Sequence, residues 1–366
     1  MDLSRRELLT ASALVMASPK AALSVAAAPS AQPIVLCWNE NPYGPSPAAR
    51  AVLNGTIPIS CRYPDEEIEQ LTAVLAKKEG MPTDHIVLGT GSGELLCALA
   101  AMHSREGGEI IAAEPTYAEL TNYAQHAGAQ LKFVPVDKQL NHDLSAMRAA
   151  VSPKTRAVYI CNPNNPTGTA ISAASIRSFV GSLPDSVTTI VDEAYLDFAD
   201  TDGVQTVTDL VTAGKRVVVL RTFSKIHGMA GVRCGYGIAR PDLTAEMAAV
   251  KMSSANIFAM RAARASLTDT AFLTDTRRRI IASRKRITAE LQRLGLAYAH
   301  PQTNFVFFDT GAPLARFDQF MKSRNILVGR LFPPYDNWCR ITIGTEPETD
   351  AFVRGLQAYT GKRAAA

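Results

Sequence analysis

The residues with the clearest chemical potential lie in segment 221–225 (Arg-Thr-Phe-Ser-Lys), which Arg233 follows. The segment comes after an apolar, β-branched run, residues 217–220, typical of a strand covered on both faces. Ligands bind at the carboxyl ends of strands in open α/β sheets. A desolvated lysine at such a position can attack a carbonyl carbon and then shuttle a proton. Taken alone, the segment fits equally well a loop lysine and a surface arginine.

A second apolar run, residues 187–191, ends at Asp192, and Tyr195 follows. An isolated Asp most often caps a helix or turn. Beside Lys225, however, an acid at a strand end can hold the ring nitrogen of pyridoxal phosphate in its protonated form, and Tyr195 can hydrogen-bond the ring hydroxyl. A lysine, this acid and a phosphate-binding arginine are what an enzyme needs to form a Schiff base with that cofactor.

Two glycine- or proline-rich turns also follow strand-like runs. Residues 162–168 (Asn-Pro-Asn-Asn-Pro-Thr-Gly) can present a rigid side-chain amide to a ring oxygen. Residues 89–93 (Gly-Thr-Gly-Ser-Gly) precede a helix expected to start near Ser92, whose free amide groups would face a phosphate. Each turn alone is compatible with a plain loop. The glycine spacing does not match a dinucleotide-binding fingerprint.

Together these motifs resemble the fold-type I pyridoxal-phosphate enzymes, the class I/II aminotransferases, and within them the histidinol-phosphate aminotransferase-like branch. The resemblance runs from about Leu36 to the end of the chain. It rests on an ordered series of motifs: residues 39–44 (Asn-Glu-Asn-Pro-Tyr-Gly), 62–65 (Arg-Tyr-Pro-Asp), 92–94 (Ser-Gly-Glu), 115–117 (Pro-Thr-Tyr), 164–168, 192–195, 224–225, 231–235 and 340–344. Such a series is highly specific.

The resemblance implies a role for each matching position. Lys225 would form the Schiff base, Asp192 would pair with the ring nitrogen and Tyr195 would contact the ring oxygen, which makes these three the expected catalytic residues. Tyr63 would reach the cofactor phosphate of the neighbouring subunit, which implies an obligate homodimer. The other expected cofactor-binding residues are Ser92, Gly93, Glu94, Tyr117, Asn165, Thr222, Ser224 and Arg233.

The resemblance also implies substrate contacts. Arg340 matches an arginine that binds the substrate α-carboxylate, where a planar fork suits the ligand better than lysine. Asn41 and Tyr43 match substrate-side residues. Enzymes of this branch that act on histidinol phosphate carry a further basic residue in the small domain, and here Arg330 occupies that neighbourhood with a glycine inserted before it. Arg330 is therefore a candidate for the side-chain pocket, and nearby aromatic residues could either line that pocket or pack the small domain.

The implied reaction is an exchange in two half-reactions between two small molecules, an amino donor and a 2-oxo acid acceptor. Two alternatives stay open. A decarboxylase or lyase on the same fold would share Lys225 and Asp192, although Arg340 favours a carboxylate that is retained. A non-catalytic binding or regulatory protein would not need the complete set of Lys225, Asp192 and Arg233.

The amino terminus has the plan of a signal peptide. Residues 4–9 (Ser-Arg-Arg-Glu-Leu-Leu) open a short apolar stretch, and residues 25–27 (Val-Ala-Ala) offer a small-residue cleavage site. The stretch is too short to span a membrane comfortably, so no stable insertion of the mature chain is expected. The paired arginines favour the twin-arginine route and a periplasmic location. A cytoplasmic protein with an ordinary amino terminus is the alternative.

The strand and helix alternation predicts an α/β protein with the aspartate-aminotransferase-like fold implied by the resemblance. It would have a large domain, with a mainly parallel seven-stranded sheet between helices, and a smaller α+β domain. The expected divisions are residues 1–27 for the twin-arginine-type signal peptide, 28–49 for an amino-terminal arm, 50–255 for the large cofactor-binding domain, and 256–366 for a linking helix and the small domain.

Composition excludes other classes. A net charge of +4 over 366 residues is far from that of a nucleic-acid binder, and the basic run between residues 277 and 293 reads as a solvated helix face. The six cysteines occur singly, so no metal is predicted and most cysteines, including Cys97 and Cys161, are expected to be buried and free. His227 is expected to have a packing or surface role.

Overall fold

The computed structural model describes residues 32–252 and 256–364. The signal peptide expected at residues 1–27 lies outside the described residues. From Ile34 onward the chain forms one compact unit, so the division into a large and a small domain stays a prediction. The strands are β1 (Ile34–Val35), β2 (Ile86–Gly89), β3 (Glu109–Glu114), β4 (Gln130–Pro135), β5 (Thr155–Cys161), β6 (Thr188–Asp192), β7 (Val217–Thr222), β8 (Gly235–Ile238), β9 (Phe305–Asp309), β10 (Ile326–Leu327) and β11 (Trp338–Thr342).

The α-helices surround these strands. They are α1 (Pro47–Thr56), α2 (Asp65–Glu79), α3 (Ser92–Ser104), α4 (Glu119–His126), α5 (Leu144–Ala149), α6 (Ala173–Ser182), α7 (Asp209–Thr212), α8 (Pro241–Val250), α9 (Ile257–Thr268), α10 (Thr270–Arg293), α11 (Leu314–Lys322) and α12 (Glu346–Ala364). The helix expected to start near Ser92 is α3, and the expected linking helix is α9.

The main sheet has seven strands in the order β2-β8-β7-β6-β5-β3-β4. Strands β3 to β7 pair in parallel wherever they are neighbours, whereas β8 runs antiparallel to both β2 and β7. The predicted α/β fold with a mainly parallel sheet is therefore confirmed. Because β5, β6 and β7 are parallel neighbours, the turns that follow them meet at one edge of the sheet.

Both faces of the sheet are covered, which explains why its central strands are continuous apolar runs. Alternate residues of β7 belong to two different apolar clusters: Val217 and Val219 pack in one, and Val218 and Leu220 in the other. All four side chains are fully buried. The site segment 221–225 thus emerges from the best-protected part of the protein.

One glycine allows the sheet and the first turn of α3 to approach closely. A Cβ atom on Gly235 of β8 would lie 2.4 Å from the backbone nitrogen of Ser92 and 2.6 Å from the carbonyl carbon of Gly91. Any larger residue would have to push α3 away from β8. The start of α3 is therefore fixed against the strand next to β7.

The remaining strands form two small sheets. Strands β9 and β11 pair antiparallel, and β1 pairs parallel with β10. The second pairing ties the segment around Ile34 to the carboxyl-terminal part of the chain. A separate apolar cluster fills this part of the molecule and includes Phe305, Phe308, Phe317 and Phe352.

The structure corrects one expectation about the basic run on α10. Arg284 is only 2 % exposed, not solvated. It donates hydrogen bonds to the carbonyl oxygens of Phe198 and Thr303, both at 2.9 Å, and pairs with Asp200 at 2.6 Å. The reason is helical spacing: position 284 lies on the same face as the buried residues Ile280 and Ile287.

The cysteines also depart in part from expectation. All six are free, but Cys97 is only half-buried and Cys61 is exposed, while Cys161, Cys234 and Cys339 are buried. Cys97 sits on α3, where desolvation is incomplete. The expectation that burial would include Cys97 is therefore wrong.

The expectations about metal sites, membrane insertion and His227 concern the remaining features of the fold. In residues 32–252 and 256–364, no cluster of metal-ligating side chains occurs. Over the same residues, every helix is too short or too polar to cross a membrane. His227 is buried, with its Nδ1 atom 2.7 Å from the Ser266 hydroxyl and its ring 4.6 Å from that of Phe223. The predicted packing role of His227 is confirmed.

Candidate active site

A cavity of about 380 Å³ lies beyond the carboxyl ends of β6 and β7. It brings together side chains from the glycine-rich turn, the Asn-Pro turn, the strand ends and the carboxyl-terminal β11. The predicted site residues that line it are Ser92, Gly93, Tyr117, Asn165, Asp192, Tyr195, Thr222, Ser224, Lys225, Arg233, Arg330 and Arg340. Most of the site residues predicted from separate motifs therefore come together around one cavity.

Lys225 presents its amine to this cavity. Its Nζ donates a hydrogen bond of 3.1 Å to the carbonyl oxygen of Asn39 and lies 5.4 Å from the centre of the Tyr195 ring. Burial, followed by the positive charge of Arg340, lowers the pKa of Lys225 to about 8. With this pKa, about one tenth of the amine is neutral at pH 7, far more than in an ordinary lysine with a pKa of about 10.4, and the neutral amine is the form that acts as a nucleophile.

Asp192 is the buried acid of the site, only 2 % exposed. The backbone N–H of Ala194 donates to its Oδ1 at 3.1 Å, and the hydroxyl of Tyr159 donates to its Oδ2 at 3.2 Å. Burial raises the pKa of Asp192 to about 6, while these two hydrogen bonds and the charge of Lys225 oppose that rise. A cationic ligand group next to this carboxylate would favour its charged form.

An anion site lies at the other end of the cavity. Helix α3 starts there, capped by Gly91 at φ 80°, and its free amide groups give a positive end. Arg233 adopts a left-handed conformation at φ 65° and donates to the Ala230 carbonyl at 2.9 Å. A Cβ atom on Gly91 would lie 2.5 Å from Nη2 of Arg233. The glycine thus leaves room for the guanidinium beside the helix end.

Two hydroxyl groups complete this anion site. Thr222 Oγ1 and Ser224 Oγ lie 2.9 Å apart and form a hydrogen bond, and the backbone N–H of Ser224 donates to Thr222 Oγ1 at 3.1 Å. The two side chains are therefore held next to each other in the turn that ends at Lys225. Hydroxyls, a guanidinium and a helix amino terminus are the groups that bind a phosphate.

Arg340 is a buried cation, only 8 % exposed. Its Nη1 donates to the side-chain oxygen of Asn165 at 2.6 Å and its Nη2 to the carbonyl oxygen of Cys37 at 2.8 Å. Its Nε is buried and has no hydrogen-bond partner in residues 32–252 and 256–364. Because a buried donor normally has an acceptor, Arg340 is suited to bind an anionic ligand.

The structure explains why position 329, immediately before Arg330, is a glycine. Its backbone N–H donates to the Arg340 carbonyl at 3.0 Å. A Cβ atom at this position would lie 2.2 Å from the same oxygen. Glycine therefore allows the backbone around Arg330 to pair closely with the strand that carries Arg340.

Arg330 lines the cavity, and its guanidinium lies 4.3 Å from the centre of the Phe332 ring. The guanidinium of Arg340 lies 5.0 Å from the same ring. Phe332 lines the cavity and also packs on Phe307, so this aromatic residue both lines the pocket and contributes to packing. Tyr335 packs on Phe307 as well and does not line the cavity.

Four predicted site residues lie outside this cavity. Glu94 accepts hydrogen bonds from the N–H and hydroxyl of Thr90, at 2.8 and 3.0 Å, and so supports the glycine-rich turn. Asn41 donates to the Ile226 carbonyl at 2.9 Å. Tyr43 lies against Arg279, and Tyr63 is 91 % exposed. Ligand contacts by these four residues stay predictions.

Several residues of the site were not predicted from the sequence: Trp38, Thr116 and Glu119 line the cavity, and Asn39 and Tyr159 hold its key side chains. Asn39 has a left-handed backbone at φ 56°, its carbonyl accepts from Lys225, and its side chain donates to the Tyr195 hydroxyl at 3.1 Å. Tyr159 holds Asp192. A tyrosine within an apolar run such as residues 157–161 implies a partner for its hydroxyl, and this could have indicated Tyr159.

These groups fit the functional parts of pyridoxal phosphate. The anion site suits its phosphate and the buried carboxylate of Asp192 suits its ring nitrogen. The amine of Lys225 suits its aldehyde. The hydrogen-bonding tips of Asn165 and Tyr195 suit its ring oxygen, and the Tyr117 side chain offers an aromatic face.

The sequence pattern of the family described as Aminotransferase class I and II matches residues 31–356. The chain belongs to this family and is a pyridoxal-phosphate-dependent aminotransferase, as predicted. It is 36 % identical over 328 residues to histidinol-phosphate aminotransferase of Moorella thermoacetica, covering 88 % of this chain and 84 % of the relative. It is also 36 % identical over 324 residues to aromatic amino acid aminotransferase of Rhodococcus jostii, covering 87 % and 88 %.

A similar crystal structure supports the same conclusion. Histidinol-phosphate aminotransferase from Sinorhizobium meliloti, in complex with pyridoxal-5'-phosphate, aligns with a TM-score of 0.83 and 26 % identity. The alignment covers 92 % of each chain. The aspartate-aminotransferase-like fold and the cofactor predicted from the sequence are confirmed, and a decarboxylase or lyase is not favoured.

The pKa of Lys225 gives a first prediction. In protein freed of cofactor, acylation of Lys225 by a brief pulse of acetic anhydride should rise with pH to a midpoint near 8, because only the neutral amine reacts. An ordinary lysine has its midpoint at about 10.4. Peptide mass spectrometry measures the extent of acylation of Lys225 at each pH, and the exposed Lys215 serves as the internal reference. A midpoint for Lys225 equal to that of Lys215 would contradict the effect of burial.

Proposed function

We propose that Lys225 carries the cofactor and moves the substrate proton in the aminotransferase reaction, and that Arg340 binds an anionic group of the amino donor. The observation that carries this proposal is the arrangement of three groups around one cavity: a lysine with a lowered pKa, a buried acid and a buried arginine with a free donor. The amine would hold the cofactor and move the proton, the acid would pair with the ring nitrogen, and the arginine would bind the donor's anionic group.

Each residue contributes in its own way. When bound, pyridoxal phosphate supplies the carbonyl carbon that takes up the amino group and a ring that withdraws electrons. Asp192, held by Tyr159 and Ala194, would keep the ring nitrogen protonated. Lys225, once released from the cofactor, would hold and transfer the proton from the donor's α-carbon. The anion site of α3 would keep the ring in place.

The donor is inferred from the cavity walls. Arg340 would bind a carboxylate or a phosphate, since its guanidinium offers a planar fork to either. Phe332, Tyr117 and Trp38 make the adjoining walls aromatic. The similar proteins are named for a histidinol phosphate and for aromatic amino acids. We therefore propose donors that combine an anionic group with an aromatic or other apolar side chain, and a 2-oxo acid as acceptor.

A homodimer is proposed from exposed apolar side chains. Ile57 is 63 %, Tyr63 91 % and Met252 89 % exposed, which places them among the most exposed large apolar residues of the described chain. Met252 and Arg233 of the anion site together line a small neighbouring cavity of about 360 Å³. A second copy of the chain would cover these residues, and Tyr63 would reach the phosphate end of its partner's site. The site of one chain would then be incomplete without the other.

Export is proposed from the sequence alone. Arg5 and Arg6 precede a short apolar stretch and a small-residue cleavage site. The twin-arginine route would deliver the protein to the periplasm in its folded form. That route suits an enzyme that acquires its cofactor before transport.

The reaction can be followed through the cofactor's absorption. Adding L-phenylalanine, L-histidinol phosphate or L-glutamate to the purified holoprotein should convert the band of the lysine-bound cofactor, and 2-oxoglutarate should restore it. Lys225→Ala should slow turnover more than about a thousandfold, and the exposed Lys215→Ala serves as the control. Release of carbon dioxide or ammonia, without restoration of the band, would instead indicate a decarboxylase or lyase.

The shared site can be tested by mixing two inactive variants. Lys225→Ala damages a chain's own site, whereas Tyr63→Ala would damage the site of its partner. After subunit exchange, hybrid dimers should contain one intact site, and the mixture should recover about one quarter of wild-type activity. A mixture of Lys225→Ala with Asp192→Asn is the control and should stay inactive, because both changes affect a chain's own site. Failure of the first mixture to recover would exclude this role of Tyr63.

Export can be followed by fractionating Gram-negative cells that produce the full-length chain. The protein should accumulate in the periplasm in a shortened form. The double change of Arg5→Lys and Arg6→Lys should retain it, uncleaved, in the cytoplasm. Equal cytoplasmic retention of both forms would refute the export proposal.

A further inference from the structure

A second and larger cavity, of about 570 Å³, adjoins the cofactor cavity. Trp38, Arg330 and Arg340 line both cavities. A ligand anchored on Arg340 therefore lies at the junction between them. The volume is within the range of small-molecule sites in proteins.

The walls of this second cavity are largely apolar. Leu314 and Ala315 of α11 form one side, and Val328 and Leu331 form another. Trp38 is 68 % exposed and Leu331 is 43 % exposed, both unusually high for large apolar side chains. These two residues lie along the same cavity, so a ligand placed there would remove both from water.

Charged side chains also line this cavity, namely Asp318, Lys322, Arg330, Asp336 and Arg340. Asp318 and Lys322 neutralise each other in an ion pair of 2.6 Å across one turn of α11. Arg330 has no carboxylate partner in residues 32–252 and 256–364, and its guanidinium lies against the Phe332 ring. The ion pair leaves the apolar side chains as the main unpaired surface of the cavity, and Arg330 and Arg340 place positive charge at the junction.

We propose that this cavity binds the side chain of the amino donor, and that the preferred donors are 2-amino acids with an extended apolar side chain of several carbon atoms. With the carboxylate on Arg340 and the amine in the cofactor cavity, the side chain would pass Trp38 and lie between α11 and residues 328–331. This inference rests on the proposed function, because it uses Arg340 as the anchor of the anionic group.

Binding can be measured without turnover. The chain has two tryptophans, Trp38 and Trp338, so Trp338→Phe leaves Trp38 as the only indole reporter. Straight-chain carboxylates from butanoate to decanoate, added to this holoprotein variant, should change the Trp38 emission. Their Kd should fall about fourfold for each added methylene group until the cavity is full.

A matched pair of substitutions on α11 tests the location. Ala315 is an exposed residue that lines the cavity, and its neighbour Arg316 is equally exposed but does not line it. Ala315→Phe should weaken octanoate binding about tenfold or more and leave butanoate binding unchanged, because only the longer chain reaches the filled space. Arg316→Phe should change neither. The cofactor's absorption should be the same in both variants.

The same series of lengths is then used for catalysis, with L-2-aminobutyrate, L-norleucine and L-2-aminodecanoate as donors and L-histidinol phosphate for comparison. In the wild-type protein kcat/KM should increase with chain length, and Ala315→Phe should abolish the increase while keeping the rate with L-2-aminobutyrate. Both results together support the inference.

Other outcomes distinguish a failure of the proposed side-chain site from a failure of the roles proposed for Lys225 and Arg340. If donors are turned over but length and Ala315→Phe have no effect, the side-chain site is refuted and the aminotransferase roles stand. If carboxylates bind with the predicted length dependence but no donor is turned over, the roles proposed for Lys225 and Arg340 in catalysis fail. If the emission of Trp38 responds to protein concentration and not to carboxylates, a second chain covers Trp38 and the side-chain site is refuted.

Discussion

The active site depends on keeping an amine and a carboxylate buried around one cavity without allowing them to neutralise each other. Lys225 donates to the carbonyl of Asn39, and Asp192 accepts from Ala194 and Tyr159. In the part of the chain that the structure describes, the two charged groups form no ion pair with each other. Each would therefore remain available to a different part of the cofactor. Burial lowers the pKa of Lys225 and so favours the neutral amine, whereas it raises the pKa of Asp192, so the charged carboxylate needs a cationic partner such as a protonated ring nitrogen.

The sheet makes this separation possible. Asp192 ends β6 and Lys225 follows the end of β7, so two neighbouring parallel strands fix how far apart the groups lie. Strand β8 runs in the opposite direction, and Gly235 at its start holds the amino terminus of α3 close by. The phosphate end, the acid and the amine are thus positioned by neighbouring strands of one sheet and by the turns that directly follow them.

Features that depend on a short stretch of sequence could be predicted without the structure. The central strands are continuous apolar runs, and the site residues follow them directly, so both could be predicted. Arg284 was misjudged because a list of basic residues does not show which helix face meets the core. Asn39 was missed as a site residue because its contribution comes from a backbone carbonyl in a left-handed conformation. Tyr159 was missed because its partner lies on the neighbouring strand, a contact that exists only after the sheet forms.

The two arginines beside Phe332 differ in how firmly they are held. Arg340 is fixed by Asn165 and by the Cys37 carbonyl and is buried within β11. Arg330 is exposed, and within the described residues its side chain hydrogen-bonds only to the Leu331 carbonyl, next to it in sequence. A replacement at position 330 leaves the packing of β11 intact, but a replacement at 340 removes a buried cation together with its partners. Under the roles proposed for these two arginines, position 330 would therefore tolerate a change that alters the choice of donor, whereas position 340 would not.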